Sequence, residues 1–167
     1  MAMPKLGYLI AVVSAACLWS AGALAQTKVG GSNTCSKPDP SHVLPAGDRP
    51  DHSLGVEQMK CTWPKPFEIG TDKAKESQAT ETVDITGNRV HTRGMHIVTM
   101  ESGDKVFISY QAVGMLKDGK PAGAKGTWSF TGGTGKHQGL TGKGTYSCAP
   151  SGDGMGCSGE GEYTAPK

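Results

Sequence analysis

The stretch whose reading decides the fold is Thr131–Tyr146, TGGTGKHQGLTGKGTY. Six glycines and two lysines in sixteen residues invite two interpretations. One is a loop that cradles phosphate; the other is a set of tight turns between strands, with glycine where the backbone needs unusual angles. A phosphate loop requires Gly-x4-Gly-Lys followed by Ser or Thr, because amides and lysine grip the phosphate while the hydroxyl holds magnesium. Counting back from Lys136 puts Phe130 at the first glycine position, and from Lys143 it puts His137 there. Gly114 to Lys120 has the spacing but runs into Pro121. A Gly-x-Gly-x-x-Gly starting at Gly133 fails at Gln138. Such loops also feed a helix whose amides point at the anion. Here GTYSC (144–148) follows and alternates like a strand. The glycines are turn residues of a β-sheet.

Working outward, the same texture continues in both directions. From Val56 onward the chain is made of short Thr- and Val-rich runs punctuated by glycine, with no helical period sustained over three turns. Alternation places strands near 56–63, 78–86, 89–100, 105–116, 122–131, 142–149 and 156–164, with a short one near 66–70. GTWSF (126–130), GTYSC (144–148) and GEYTA (161–165) form an internal echo in which glycine is followed two residues later by Trp128, Tyr146 or Tyr163. That spacing suits successive antiparallel strands whose aromatics plug one core.

The N-terminus has a different character. Lys5 precedes a long apolar run ending Ala23-Leu24-Ala25, the layout of a cleaved secretory signal over residues 1–25. Residues 26–55 hold four prolines and few large apolar side chains, and are expected to form an extended arm without regular strand. The domain proper is expected over 56–167. The charge balance of +2 is close to neutral, which excludes a nucleic-acid partner that grips phosphate. No second apolar run approaches the roughly 20 residues of a membrane span. Cleavage leaves Cys35, Cys61, Cys148 and Cys157, an even count that reads as two disulfides in an exported protein, periplasmic or extracellular. The expected pairs are Cys35–Cys61 and Cys148–Cys157, the latter closing APSGDGMG. Zinc is excluded, since no two cysteines stand two to four residues apart.

FTGGTGKHQGLTGKGTY (130–146), with GTWSF before it and its returning GTY strand, resembles bacterial exported proteins of the allene oxide cyclase barrel-like group, related to dirigent-type barrels. The resemblance covers roughly 56–164. It implies an all-β, eight-stranded antiparallel barrel with a central cavity, which in plant relatives holds hydrophobic substrates. No position here matches a catalytic motif of those plant enzymes. The disulfides and the proline-rich arm depart from the plant pattern.

In a barrel, alternate residues face the lumen, so polar groups in phase with apolar ones are the candidates. A hairpin closed at Ser102-Gly103 would set Met95 opposite Tyr110, Ile97 opposite Ile108 and Arg93 opposite Ala112. Arg89, His91, Arg93, Met95 and Ile97 then share a face with Val106, Ile108 and Tyr110. That face would form a pocket with an apolar floor and His91, Arg93 and Tyr110 around an anionic head; the alternative is a solvent-facing basic stripe. The opposite face, with His96 and Met100, is equally mixed, so alternation alone leaves the lumen face open. There is no Gly-x-Ser-x-Gly elbow and no visible acid–base pair. The reading is an exported barrel that binds a small hydrophobic or amphipathic ligand without catalysis, without a cofactor and without a resident metal. The alternatives are a cyclase- or isomerase-like enzyme and a secreted interaction or hydrolase-inhibitor protein. Ligand, partner and oligomeric state are not readable.

Overall fold

The computed structural model describes residues 26–165; the leader expected at 1–25 lies outside the described residues. The strands are β1 (Thr27–Cys35), β2 (Ser41–Pro45), β3 (His52–Lys65), β4 (Glu68–Ile69), β5 (Asp72–Thr86), β6 (Arg89–Met100), β7 (Lys105–Lys117), β8 (Lys120–Gly133), β9 (Thr141–Ser151) and β10 (Gly154–Thr164). All pairings are antiparallel. The run β5-β6-β7-β8-β9-β10 is a meander; β1 then pairs with β10 on one side and β3 on the other, and β3 pairs with β5. Those eight strands close into a barrel, while β2 extends the β1 line along β3 and β4 folds back on β5. Closure removes the exposed edges that an open sheet of this length would carry.

Residues 26–55 differ from expectation. They carry β1, β2 and the start of β3, and β1 is the strand that closes the barrel. Their prolines sit where the ladder tolerates them: Pro38 and Pro40 lie in the break between β1 and β2, and Pro45 ends β2. Glycine in β1 is likewise a fitting residue, since a Cβ on Gly31 would meet the Phe67 backbone nitrogen at 2.8 Å.

Both expected disulfides are present. Cys35 and Cys61 are register partners on β1 and β3, at the closing seam, and Cys148 and Cys157 are partners on β9 and β10. The first cross-link spans 26 residues, the second 9. Loop-closure entropy makes the seam bond the stronger constraint on the unfolded chain, at about 3.5 kcal/mol against about 2.6.

The turns follow their sequences. Asp118-Gly119 joins β7 to β8 with φ of 53° and 72°, the mirror-image turn whose twist matches a hairpin. The β6–β7 connection is different. Met100 N donates to Asp104 O at 2.9 Å, and Gly103 takes φ 88°, so three residues form the loop rather than the two expected. Asp72 holds that loop: its carboxylate accepts from Ser102 Oγ at 2.6 Å and from Ser102 N at 3.1 Å. The register therefore runs Gly94↔Tyr110, His96↔Ile108 and Val98↔Val106. A one-residue change of register exchanges the faces of a strand.

One end of the barrel is filled. Met100, Val98, Val106, Leu140, Phe67 and Phe130 pack there, backed by Ile69 and Tyr163. A polar knot caps this core. Asp72, 4% exposed, also accepts from His137 Nε2 at 2.9 Å and pairs with Lys136 Nζ at 3.2 Å. His137 is 1% exposed and sits in the Gly135–His137 3-10 turn between β8 and β9. The hydrogen bond to Asp72 draws it inside, out of a turn rich in glycine and lysine. Three separate connections thus meet on one carboxylate. Burial opposes ionisation of Asp72, but the hydrogen bonds from Ser102, His137 and Lys136 outweigh it and hold the carboxyl well below the ordinary 3.8. The stability this contributes is present above the ordinary value and is lost as pH falls below it. Asp72→Ala strands a buried histidine and frees two loops, and should cost about 3–5 kcal/mol in urea unfolding at pH 7. A loss under about 1 kcal/mol, the level of an exposed pair, would contradict the role given to the knot.

Candidate functional site

The other half of the barrel is hollow, and glycine makes it so. Antiparallel register partners point to the same face. On the lumen face Trp128 of β8 lies opposite Gly144 of β9, and Tyr146 of β9 lies opposite Gly126 of β8. The exchange is reciprocal: each strand's Gly-x-aromatic seats its ring on the other strand's glycine. A Cβ on Gly144 would stand 2.6 Å from the Trp128 ring, and one on Gly126 would stand 2.7 Å from the Tyr146 ring. The motif recurs at Gly94 against Tyr110, 2.6 Å, and at Gly142, flanked by Phe130 and Tyr163. Rings laid against a glycine floor line the wall rather than fill the middle.

The result is a cavity of about 930 Å³, open at the end opposite the filled core. Trp63, Tyr110, Trp128 and Tyr146 supply its aromatic wall, with Met59, Val83, Ile85, Ile108 and Ala112 between them. Phe67 and Phe130 form its floor, and Lys37, Lys120 and Asp153 stand on the lining at turns and loops.

A few polar groups project into this apolar space. Glu81 of β5 accepts from the Tyr110 hydroxyl at 2.9 Å. Its register partner on β3 is Glu57, whose Oε1 accepts from Ser41 Oγ at 2.6 Å. Burial pushes the Glu81 carboxyl up to about 7, against the Tyr110 hydrogen bond and helped by the charge of Glu57. Burial, with the charge of Glu81, also holds the Tyr110 and Tyr146 hydroxyls well above the ordinary 10.0, so both remain protonated donors. His96 of β6 shares a 3.2 Å contact with Ser77 Oγ, which also accepts from Trp63 Nε1 at 3.3 Å. Burial lowers its pKa to about 4, leaving a neutral imidazole at pH 7.

The residues singled out from sequence separate. Tyr110 lines the cavity, whereas His91 and Arg93 are exposed on the outer wall, with Met95 and Ile97 beside them on the same face. The three-residue β6–β7 loop accounts for this, since it turns the His96 face inward. His96 itself faces the cavity, but Met100 belongs to the filled base. His96 lies with Cys35 and Cys61, their ligand atoms within 4.8 Å of one another. The sulfurs are joined, so they offer no thiolate to an ion. From sequence Glu81, like Glu57 and Asp84, had no partner at a known separation and was given no role. Its signal was present: over 77–85 it is the one charged residue in phase with Ala79, Val83 and Ile85.

Fold and site together define a small cavity-bearing antiparallel β-barrel. In structure the chain is similar to a protein of unknown function of the DUF3224 family from Shewanella oneidensis MR-1, with TM-score 0.51 and 18% identity over 86% of this chain and 100% of that one. At that identity the likeness speaks to the fold. No family profile and no curated protein matches the sequence.

Two outcomes test this geometry. Gly144→Ala forces a methyl against the Glu160 carbonyl and the Trp128 ring, and should destabilise the barrel by about 1–3 kcal/mol, read by thermal or urea unfolding. No loss would mean the glycine is not the seat of that ring. For Glu81, the folded state holds its proton up to about 7, whereas the unfolded chain releases it near 4.5. Between those values stability falls as pH rises. Thermal unfolding across pH 4.5–7 should show that decline in the native protein and a flatter profile in Glu81→Gln; identical profiles would contradict it.

Proposed function

We propose that the barrel binds a small hydrophobic or amphipathic molecule in its lumen and acts as an exported binding protein rather than as a catalyst. The observation that carries this reading is the cavity: about 930 Å³, open at one end, walled by aromatic and aliphatic side chains with few polar groups. Volumes of that order hold drug-sized ligands. Export is supported by the leader-like start and by two disulfides, which persist in oxidising compartments. Membership of the allene oxide cyclase-like barrels is supported by the closed eight-strand architecture and by the 130–146 segment, whose glycines seat the lumen aromatics.

The test uses N-phenyl-1-naphthylamine, a hydrophobic fluorophore that brightens on leaving water. It should bind the folded protein with one-to-one stoichiometry and a Kd on the order of micromolar, about −8 kcal/mol. Ala112→Phe, directed into the lumen from β7, should weaken binding about tenfold or more with the fold retained by circular dichroism. Absent binding, or equal binding by the variant, would overturn the reading.

A further inference from the structure

The charged groups of the lumen carry information about its ligand. Taken element by element, the titratable side chains that line the cavity wall are Glu57 on β3, Glu81 on β5, His96 on β6, Tyr110 on β7 and Tyr146 on β9. None is a cation at pH 7, since His96 is neutral. The lysines on the lining, Lys37 and Lys120, lie at the loop after β1 and the start of β8, with Asp153 in the β9–β10 turn. Glu57 and Glu81 are direct partners across the β3–β5 ladder, and like charges so placed repel. Tyr110 satisfies one Glu81 oxygen. The other accepts no hydrogen bond among the described residues. Tyr146 stands beside them, its ring perpendicular to that of Tyr110 at 6.2 Å. Two carboxylates at facing register positions on the wall of an apolar cavity, one of them held by the Tyr110 hydroxyl, present acceptors that suit a cation.

We propose that the lumen selects hydrophobic molecules that carry a protonated amine, with the ammonium seated between Glu57 and Glu81 and the apolar body against Trp63 and Trp128, and that it rejects hydrophobic carboxylates. This rests on the binding role proposed above and replaces the anionic head expected from sequence. The raised affinity of Glu81 for its own proton is what the site does without a countercharge. An ammonium takes the place of that proton, so binding releases one proton from Glu81 to solvent when the carboxyl begins protonated. Affinity should therefore rise with pH from about 6 to about 8, a range in which an alkylamine stays charged.

The experiment displaces bound N-phenyl-1-naphthylamine with three probes that share one alkyl chain: dodecylamine, dodecan-1-ol and dodecanoate, each below its aggregation concentration. The amine should displace at concentrations about tenfold lower than dodecanoate at pH 8, and less effectively at pH 6. Glu81→Gln should abolish both the preference and the pH effect, so that the amine displaces no better than dodecanol at either pH. Glu57→Gln, which keeps the Tyr110–Glu81 bond, should shift the preference in the same direction, so the test does not depend on one variant folding. Dodecanoate matching or exceeding the amine, an unchanged preference in both variants, or fluorophore binding with no displacement by the amine would each overturn the proposal. Failure of the fluorophore itself to bind would instead remove the binding role on which it stands.

Discussion

The contact on which the rest depends is the mutual seating of Trp128 on Gly144 and Tyr146 on Gly126 across β8 and β9. A barrel of eight strands has an interior just wide enough for side chains to fill it. Whether it becomes a packed core or a container is decided by what the inward positions carry. Here glycine occupies Gly94, Gly126, Gly142, Gly144 and Gly159, each in register with a large ring, and Gly161, whose Cβ would meet the Trp128 ring. Each ring covers backbone that would otherwise be bare, recovering part of what glycine costs a strand. The wall is thereby thin beside each aromatic, and the axis stays empty.

Stability and function are divided along the axis. At one end apolar side chains pack, and three connections converge on Asp72. Cross-links brace the hollow end: Cys35 and Cys61 pin the closing seam, where they pack with Ala79 and Met59, and Cys148 and Cys157 pin the last hairpin; Cys35, Cys148 and Cys157 stand on the cavity lining. In that braced space sits Glu81, a carboxyl whose burial works against its charge. An uncompensated group retained in an otherwise consistent structure is the kind of local conflict expected at a functional site.

Much of this was legible in the sequence. The rejected phosphate loop, the Gly-x-aromatic echo and the cysteine spacing led to an all-β chain with the two observed disulfides, because each depends on residue identity and short-range separation, while the eight-strand barrel was implied by the resemblance of 130–146. The lumen face was not legible. It hinges on whether the β6–β7 loop holds two residues or three, and the answer lies with Asp72, thirty residues upstream of Ser102. That one-residue difference carried His91 and Arg93 outside and His96 within. Residues 26–55 were misjudged for a related reason. Their proline and glycine content argues against a strand locally, while pairing with β10 and β3 supplies the ladder from elsewhere. Glu81 was given no role from sequence because its separations from Tyr110 and Glu57, on two other strands, are set only by the fold.

The central claim, that glycine-seated aromatics keep one half of the barrel open, is tested most directly by xenon. Xenon enters apolar space without needing a polar partner, so it reports the cavity independently of any ligand chemistry. In methyl-resolved NMR under xenon pressure, Ile85, Ile108 and Ala112 on the cavity wall should shift in a saturable way, while Ile97 on the outer wall stays fixed. Saturable shifts confined to the first three would establish an open lumen. Unchanged resonances at all four, or shifts at Ile97 alone, would show that the barrel interior is closed and that the account built on it is wrong.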